Sequence, residues 1–229
     1  MVKLDNSTPH LATVYDSQVR DTIPYYDSFH EETINLIKAT LIEPKNWLDS
    51  GCGTGTLAQK ALPIFPNTKF ILAEPSQEML NNAKRKLANI ANGRVQFLEP
   101  VSTQDLPKSI ASPDVVIAIQ SHHYMSREER IRATAVCFEL LTHRGVYVTF
   151  ENIRPFTTEG MAIGKENWKN FQLGRGRDVR TVQKHMERFG VEYHPITIQD
   201  HLSLLRKAGF STVEMLWYSC MQAGFYGIK

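Results

Sequence analysis

The stretch from Trp47 to Leu57, reading W-L-D-S-G-C-G-T-G-T-L, constrains the fold of this chain more than any other. A short apolar run, Asn46-Trp47-Leu48, leads into the acid Asp49. Glycines follow at alternate positions (Gly51, Gly53, Gly55), and a helical pattern starts at about Thr56. Strand, glycine turn and helix form the opening unit of a nucleotide-binding α/β sheet. Glycine lets the backbone turn sharply and lets a ligand lie against it with no Cβ in the way. The spacing is G-x-G-x-G, unlike the G-x-G-x-x-G loop that surrounds a pyrophosphate with backbone N–H groups. A carboxylate closing the strand repels phosphate and suits a cationic ligand. A second buried strand, Phe70-Ile71-Leu72-Ala73, ends at Glu74. That acid falls about 20 residues past the loop, where such sheets grip ribose hydroxyls.

S-adenosylmethionine (SAM), with its ammonium and sulfonium, answers that description. D-S-G-C-G-T-G resembles the first motif of class I SAM-dependent methyltransferases, and A-E-P-S-Q-E-M-L resembles the second, with Glu74 in the acidic place. The resemblance implies an α/β, Rossmann-like fold. Its seven-stranded sheet is mostly parallel with an antiparallel last strand, helices cover both faces, and a helical cap precedes it. The expected layout is a single domain over 1–229: cap 1–43, cofactor-binding core 44–155, helical insertion 156–195, and C-terminal helix and strand pair 196–229. The cofactor contacts it implies are Tyr26, Asp49, Gly51, Cys52, Gly53, Gly55, Glu74, Pro75, Met79, Val101, Ser102, Ile119 and Gln120. Many relatives carry Gly-Asp after the third strand, where the Asp takes the adenine amino group. Here the chain reads Glu99-Pro100-Val101-Ser102. A backbone group at Val101 or the Ser102 hydroxyl is the expected substitute.

Composition narrows the class. A length of 229 residues fits one α/β domain with an added cap. Hydrophobic residues make up 42%, and no apolar run is long enough to span a membrane. The start, Met1-Val2-Lys3-Leu4-Asp5, lacks the apolar core of a signal peptide. Cys52, Cys137 and Cys220 are scattered; they neither pair nor build a metal site, and they suit a reducing cytoplasm. A net charge of +2 gives no reason to expect nucleic acid.

Along the chain, residues 1–13 are polar and expected to fray. Residues 14–42 look helical with a break at Pro24, and Phe29, Ile34, Leu36, Ile37 and Leu41 face inward. In the family the chain before the first strand often covers the cofactor. Tyr25 or Tyr26 is expected to do so, Tyr26 by preference; the plainer reading is that both pack the cap. Tyr25 and His30 are substrate-side candidates. A helix over 56–63, a strand over 69–73, a helix capped by Ser76 and a strand over 94–98 follow. The strand over 113–119 is apolar almost throughout, as a sheet buried on both faces requires. It runs out into Gln120-Ser121-His122-His123-Tyr124 at the carboxyl edge, where ligands bind. His122, His123 and Tyr26 are the acid–base candidates, with a structural hydrogen-bonding role as the plainer reading of the histidines. Ser126 and Glu129 form a capping box, and a strand over 146–150 ends in Glu151-Asn152-Ile153-Arg154-Pro155. Residues 156–191 break the rhythm with an apolar stripe (Trp168, Phe171, Leu173) and a basic run through Arg175, Arg177, Arg180, Lys184, His185 and Arg188. That run is a solvated face, an anionic acceptor site using Arg154, Arg175 and Arg177, or a dimer contact. Thr197 and Asp200 cap the next helix, and strands over 212–217 and 223–228 end the chain.

The layout is also similar to the carboxy-S-adenosylmethionine synthases of tRNA wobble-uridine modification. I-P-Y-Y (23–26) lies where that branch has Val-Pro-Gly-Tyr, and the tail from His201 is similar in pattern. Two positions depart: the branch has Asp-Asn where this chain has Glu74-Pro75, and its carboxylate-holding Arg aligns with Met186. Unmodified SAM is therefore the expected donor, and methyl transfer to a small, anionic acceptor is the expected reaction, in a cytoplasmic homodimer. The alternatives are a carboxy-SAM synthase acting on SAM and prephenate, a non-catalytic SAM-binding protein, and an NAD-linked oxidoreductase, which Asp49 and the glycine spacing disfavour. In-line displacement at a sulfonium needs alignment and exclusion of water, and a general base only for a neutral hydroxyl or acidic C–H.

Overall fold

The computed structural model describes residues 7–40 and 43–229. Its frame follows from the apolar runs. β1 (Asn46–Ser50), β2 (Lys69–Ala73) and β4 (Val115–Ile119) are buried along nearly their whole length, because helices cover both faces. β3 (Val95–Phe97) closes one edge and β5 (Val146–Asn152) continues the sheet. The order is β3-β2-β1-β4-β5-β7-β6. The first five strands are parallel, whereas β7 (Gln222–Ile228) runs antiparallel to both β5 and β6 (Thr212–Ser219). Strand order reverses between β1 and β4, and that crevice at the carboxyl ends is where such sheets bind ligands.

Alternate residues of each strand feed opposite cores. Val115 and Ile117 of β4 join Phe29, Trp47, Leu57 and Phe150 on one face; Val116 and Ala118 join Leu48, Cys137, Leu141 and Phe225 on the other. The covering helices are α1 (Tyr15–Thr22), α2 (Tyr26–Ala39), α3 (Thr56–Ala61), α4 (Gln77–Leu87), α5 (Arg127–Leu140) and α8 (Ile198–Ala208). Both expected capping boxes form, Ser126 with Glu129 and Thr197 with Asp200. The segment that breaks the alternation folds as α6 (Thr158–Gly174) and α7 (Val179–Glu187).

Two expectations need correction. Residues 7–13 do not fray as a group: His10 and Ala12 are each 4% exposed, with His10 bonded to Gln18 and Thr22 at 2.9 Å each. β5 runs past Phe150, because Glu151 and Asn152 pair with Ala223 and Gln222 of β7. Leu41, expected to face inward, lies outside the described residues. Among the described residues no helix is long and apolar enough to cross a membrane.

The β5–β7 contact is tight enough to test. A Cβ on Gly224 would lie 2.4 Å from Phe150 Cε1, and that ring is stacked on Phe29 with centroids 4.9 Å apart. Gly224→Ala is expected to lower stability by about 1–3 kcal/mol through overpacking. Urea unfolding should show a lower midpoint at an unchanged slope.

Candidate cofactor and acceptor site

The glycine loop is tied to the end of β2. The N–H groups of Gly51 and Cys52 donate to the Ala73 carbonyl at 2.7 and 3.0 Å. Gly53 N–H donates to Glu74 Oε2 at 3.0 Å, and Ser76 N–H to Glu74 Oε1 at 3.1 Å. Gly51 has φ +77°, and a Cβ there would fall 2.6 Å from Ser121 Cβ, so only glycine lets the loop close against the end of β4. Gly55 differs in purpose. It lines no cavity, and its Cβ would press on Ala83 and Leu87 at 3.2 Å, so it serves the approach of α3 to α4.

A cavity of about 250 Å³ opens over the ends of β1, β2 and β4. Gly51, Gly53, Glu74, Pro75, Met79, Ser102, Ile119 and Gln120 all line it. A narrow recess behind it is lined by Tyr26, His30, Asp49 and Cys52. Asp49 is 4% exposed, and no donor among the described residues reaches its carboxylate. Burial first, and then the charge of Glu74, push its pKa up to about 7. The Cys52 thiol is pushed well up by burial, which leaves it unreactive. Gln120 Oε1, Ser121 Oγ and His30 Nδ1 are buried without a partner, and Gln120 holds φ +54°. Unpaired buried polar atoms and a strained strand end are uncommon outside binding sites. A cationic ligand that offers N–H and O–H donors fits this lining.

Beside it lies a small void of about 20 Å³ between α1 and the α6–α7 pair, room for about one water. His10, Tyr15, Gln120, Tyr124, His185 and Tyr193 form much of its wall, with Trp168 and Asn152. Tyr15 lines this void, the recess and the open cavity alike. Tyr124 belongs to the segment expected at the carboxyl edge, whereas Tyr15, Trp168 and Tyr193 were not legible as site residues in the sequence. Their place depends on packing between distant segments, as in the Trp168 Nε1–H bond to Thr22 O at 2.7 Å.

Several sequence candidates stand elsewhere. His122 and His123 line none of these spaces and are each 2% exposed. The His123 ring bonds Glu151 Oε2 at 2.7 Å, while His122 meets Thr103 and Tyr147 at 3.3 Å each. Burial opposes charge on Glu151, but the hydrogen bond and charge of His123 outweigh it and hold the pKa down to about 2. Burial lowers His122 to about 4. Val101 lines no cavity; its N–H donates to Glu74 O at 3.3 Å. Tyr25 is 63% exposed and its ring meets Trp217. Arg154 lines a separate groove of about 1050 Å³ between α5, α6 and α8. Arg175 pairs with Asp21 at 3.1 Å, and Arg177 is engaged by Gln172. Among the described residues no cluster of three His, Cys, Asp or Glu side chains could hold a metal ion.

These features have known counterparts. A family model described as a methyltransferase domain matches residues 48–147. Over those residues the chain resembles a methyltransferase domain, and the sheet order described above is the one typical of that fold. More particular likenesses run along nearly its whole length. It is 23% identical to the carboxy-S-adenosyl-L-methionine synthase of Helicobacter hepaticus, over 90% of this chain and 87% of that protein. It is 20% identical to the synthase of Nautilia profundicola over the same shares, 90% and 87%. Human N-acetylserotonin methyltransferase in complex with SAM shares the fold, with a TM-score of 0.58 and 15% identity over 95% of this chain. The present chain covers 53% of that structure's length.

The raised pKa of Asp49 carries a sign. An acid whose folded pKa lies above its unfolded value lowers stability once it ionises. The ligand-free protein should therefore lose stability from this group as pH rises from about 4 to about 7. Asp49→Asn should flatten that stretch of a plot of melting temperature against pH; an unchanged slope would place the carboxylate elsewhere.

Proposed function

We propose that this chain transfers the methyl group of SAM to a small acceptor. The observation that carries the reading is the buried, donor-starved Asp49 beside Glu74, over a glycine loop. When bound, SAM supplies an electrophilic methyl carbon. Asp49 would hold its ammonium side. Glu74, at the end of β2 and lining the cavity, would take the ribose hydroxyls. Ser102 and Gln120 would meet the rest of the nucleoside, with Gly51 and Gly53 allowing close approach.

The residues around the void support catalysis by drying. Tyr15 and Tyr124 line both the cavity and the small void beside it, and these rings would keep water from the methyl donor. No wall residue is tuned as a strong base: burial takes His10 to about 4 and His185 to about 3, and it raises Tyr15 and Tyr124 well above 10.0. His122 and His123 are better read as positioning residues that fix the turn after β4 through Glu151. Tyr26, with a pKa raised by burial, is better read as a cofactor contact than as a base. A homodimer in the cytoplasm belongs to the same reading; sedimentation velocity tests the assembly.

A second reading, carboxy-SAM synthesis, is favoured by the named relatives that match 90% of the chain. Against it stands Met186, which packs with Trp168 and Met221 where that branch has its carboxylate-holding Arg. Arg188 does not replace it, because its guanidinium is engaged by Glu192, Tyr193 and Ser7 O.

Calorimetry with S-adenosylhomocysteine (SAH) and with SAM should show saturable binding, weakened about tenfold or more by Asp49→Asn through loss of a buried charge pair. Binding of NAD in preference to SAM sinks the reading. Incubation with SAM and prephenate, followed by mass spectrometry of the nucleoside, decides between the two reactions. Unchanged SAM supports methyl transfer, and a gained carboxyl group supports the synthase.

A further inference from the structure

The groove of about 1050 Å³ between α5, α6 and α8 shares no lining residue with the cavity over the glycine loop. Its walls carry five cations, Arg127, Arg130, Arg154, Lys165 and Lys207, against one acid, Asp200. That acid is engaged in its helix cap, accepting from Thr197 N–H and Oγ1 at 3.2 and 2.7 Å. Lys165 lies over the Phe189 ring at 5.4 Å. Among the described residues Arg127, Arg130, Arg154 and Lys207 form no ion pair. Arg130 is the unusual member, because it is only 4% exposed. Its guanidinium is held by carbonyls alone. Nε–H donates to His122 O at 3.1 Å, and Nη2 donates to Met125 O at 3.4 Å and to His194 O. Its Nη1 makes no hydrogen bond among the described residues. Burial pushes its pKa below the ordinary arginine value, with the charge of Glu151 opposing. A buried cation costs stability until an anion meets it.

Arg154 is placed by the same segment of chain: its N–H donates to Ile196 O at 2.9 Å, while Arg130 is bonded to His194 O. Much of the remaining lining is apolar, including Ile131, Met161, Phe189, Ile196 and Leu204. The volume is at the top of the range for small-molecule sites. Arg127, Arg154 and Lys207 are exposed, whereas Arg130 is buried. A facing protein surface would meet the exposed three and leave Arg130 unmatched; a slender free molecule reaches it with its head. The planar fork of arginine suits the two oxygens of a carboxylate. We propose that this groove is a second ligand site, for a free carboxylate with a long apolar body, its head on Arg130 and Arg154 and its body along Ile131, Met161 and Leu204. The ligand is not the methyl acceptor, because the groove has no wall in common with the cofactor cavity. The site therefore stands independently of the methyl-transfer reading.

The test is calorimetric titration of octanoate, decanoate and dodecanoate into the free protein, each below its micelle concentration. One saturable site is expected, with affinity rising about threefold for each added methylene. Decyltrimethylammonium, with the decyl tail and the opposite charge, should bind about tenfold more weakly than decanoate or worse. Arg154→Gln should weaken decanoate about tenfold and keep the response to chain length. Ala135→Trp, which fills part of the groove, should remove the response to chain length and keep the preference for negative charge. Melting curves confirm that each variant folds. Decanoate and SAH should bind together, without competition. Equal affinity for the two charges, no gain with chain length, binding indifferent to both variants, or competition with SAH overturns the assignment. So does a dimer in sedimentation velocity that excludes decanoate, because a second copy then covers the groove. Failure to bind SAH sinks the methyl-transfer reading alone.

Discussion

The hydrogen bonds from the glycine loop to the end of β2 govern what this crevice can bind. A glycine loop at a strand end normally offers its N–H groups to an anion. Here Gly51 and Cys52 give theirs to Ala73 O, and Gly53 gives its own to Glu74. The loop keeps the open backbone of a nucleotide site but loses the donors a pyrophosphate would need. The same bonds bring Glu74 near Asp49, and that proximity contributes to the raised pKa of Asp49. A positive ligand relieves the repulsion that a phosphate would deepen. Donor choice is thus built into which acceptor each loop N–H finds.

The cap extends this arrangement to the small void beside the cavity. Asp16 accepts from Thr54 Oγ1 at 2.6 Å and pairs with Lys86 at 2.7 Å, so α1 is held to the glycine loop and to α4. From the other side, Trp168 bonds Thr22 O and Arg175 pairs with Asp21. Tyr15 lies within this doubly anchored helix and borders every space at the strand ends. A helix tied at both flanks keeps Tyr15 where the open cavity, the recess and the small void meet.

What was legible in the sequence was local. The glycine loop, Glu74, the capping boxes and the terminal strand pair rest on short spacings, and all stand where those spacings put them. The direction of side chains at the strand ends was not local. His122 and His123 do sit past β4, yet Glu151 on the neighbouring strand turns them inward, and that depends on Ile119 lying opposite Phe150. The arginines misled for a similar reason. A basic run reads as free charge until its partners are known, and the partner of Arg175 is 154 residues away. His10 and Tyr15 carry no periodic signal, because their burial comes from α1 docking on the helical insertion.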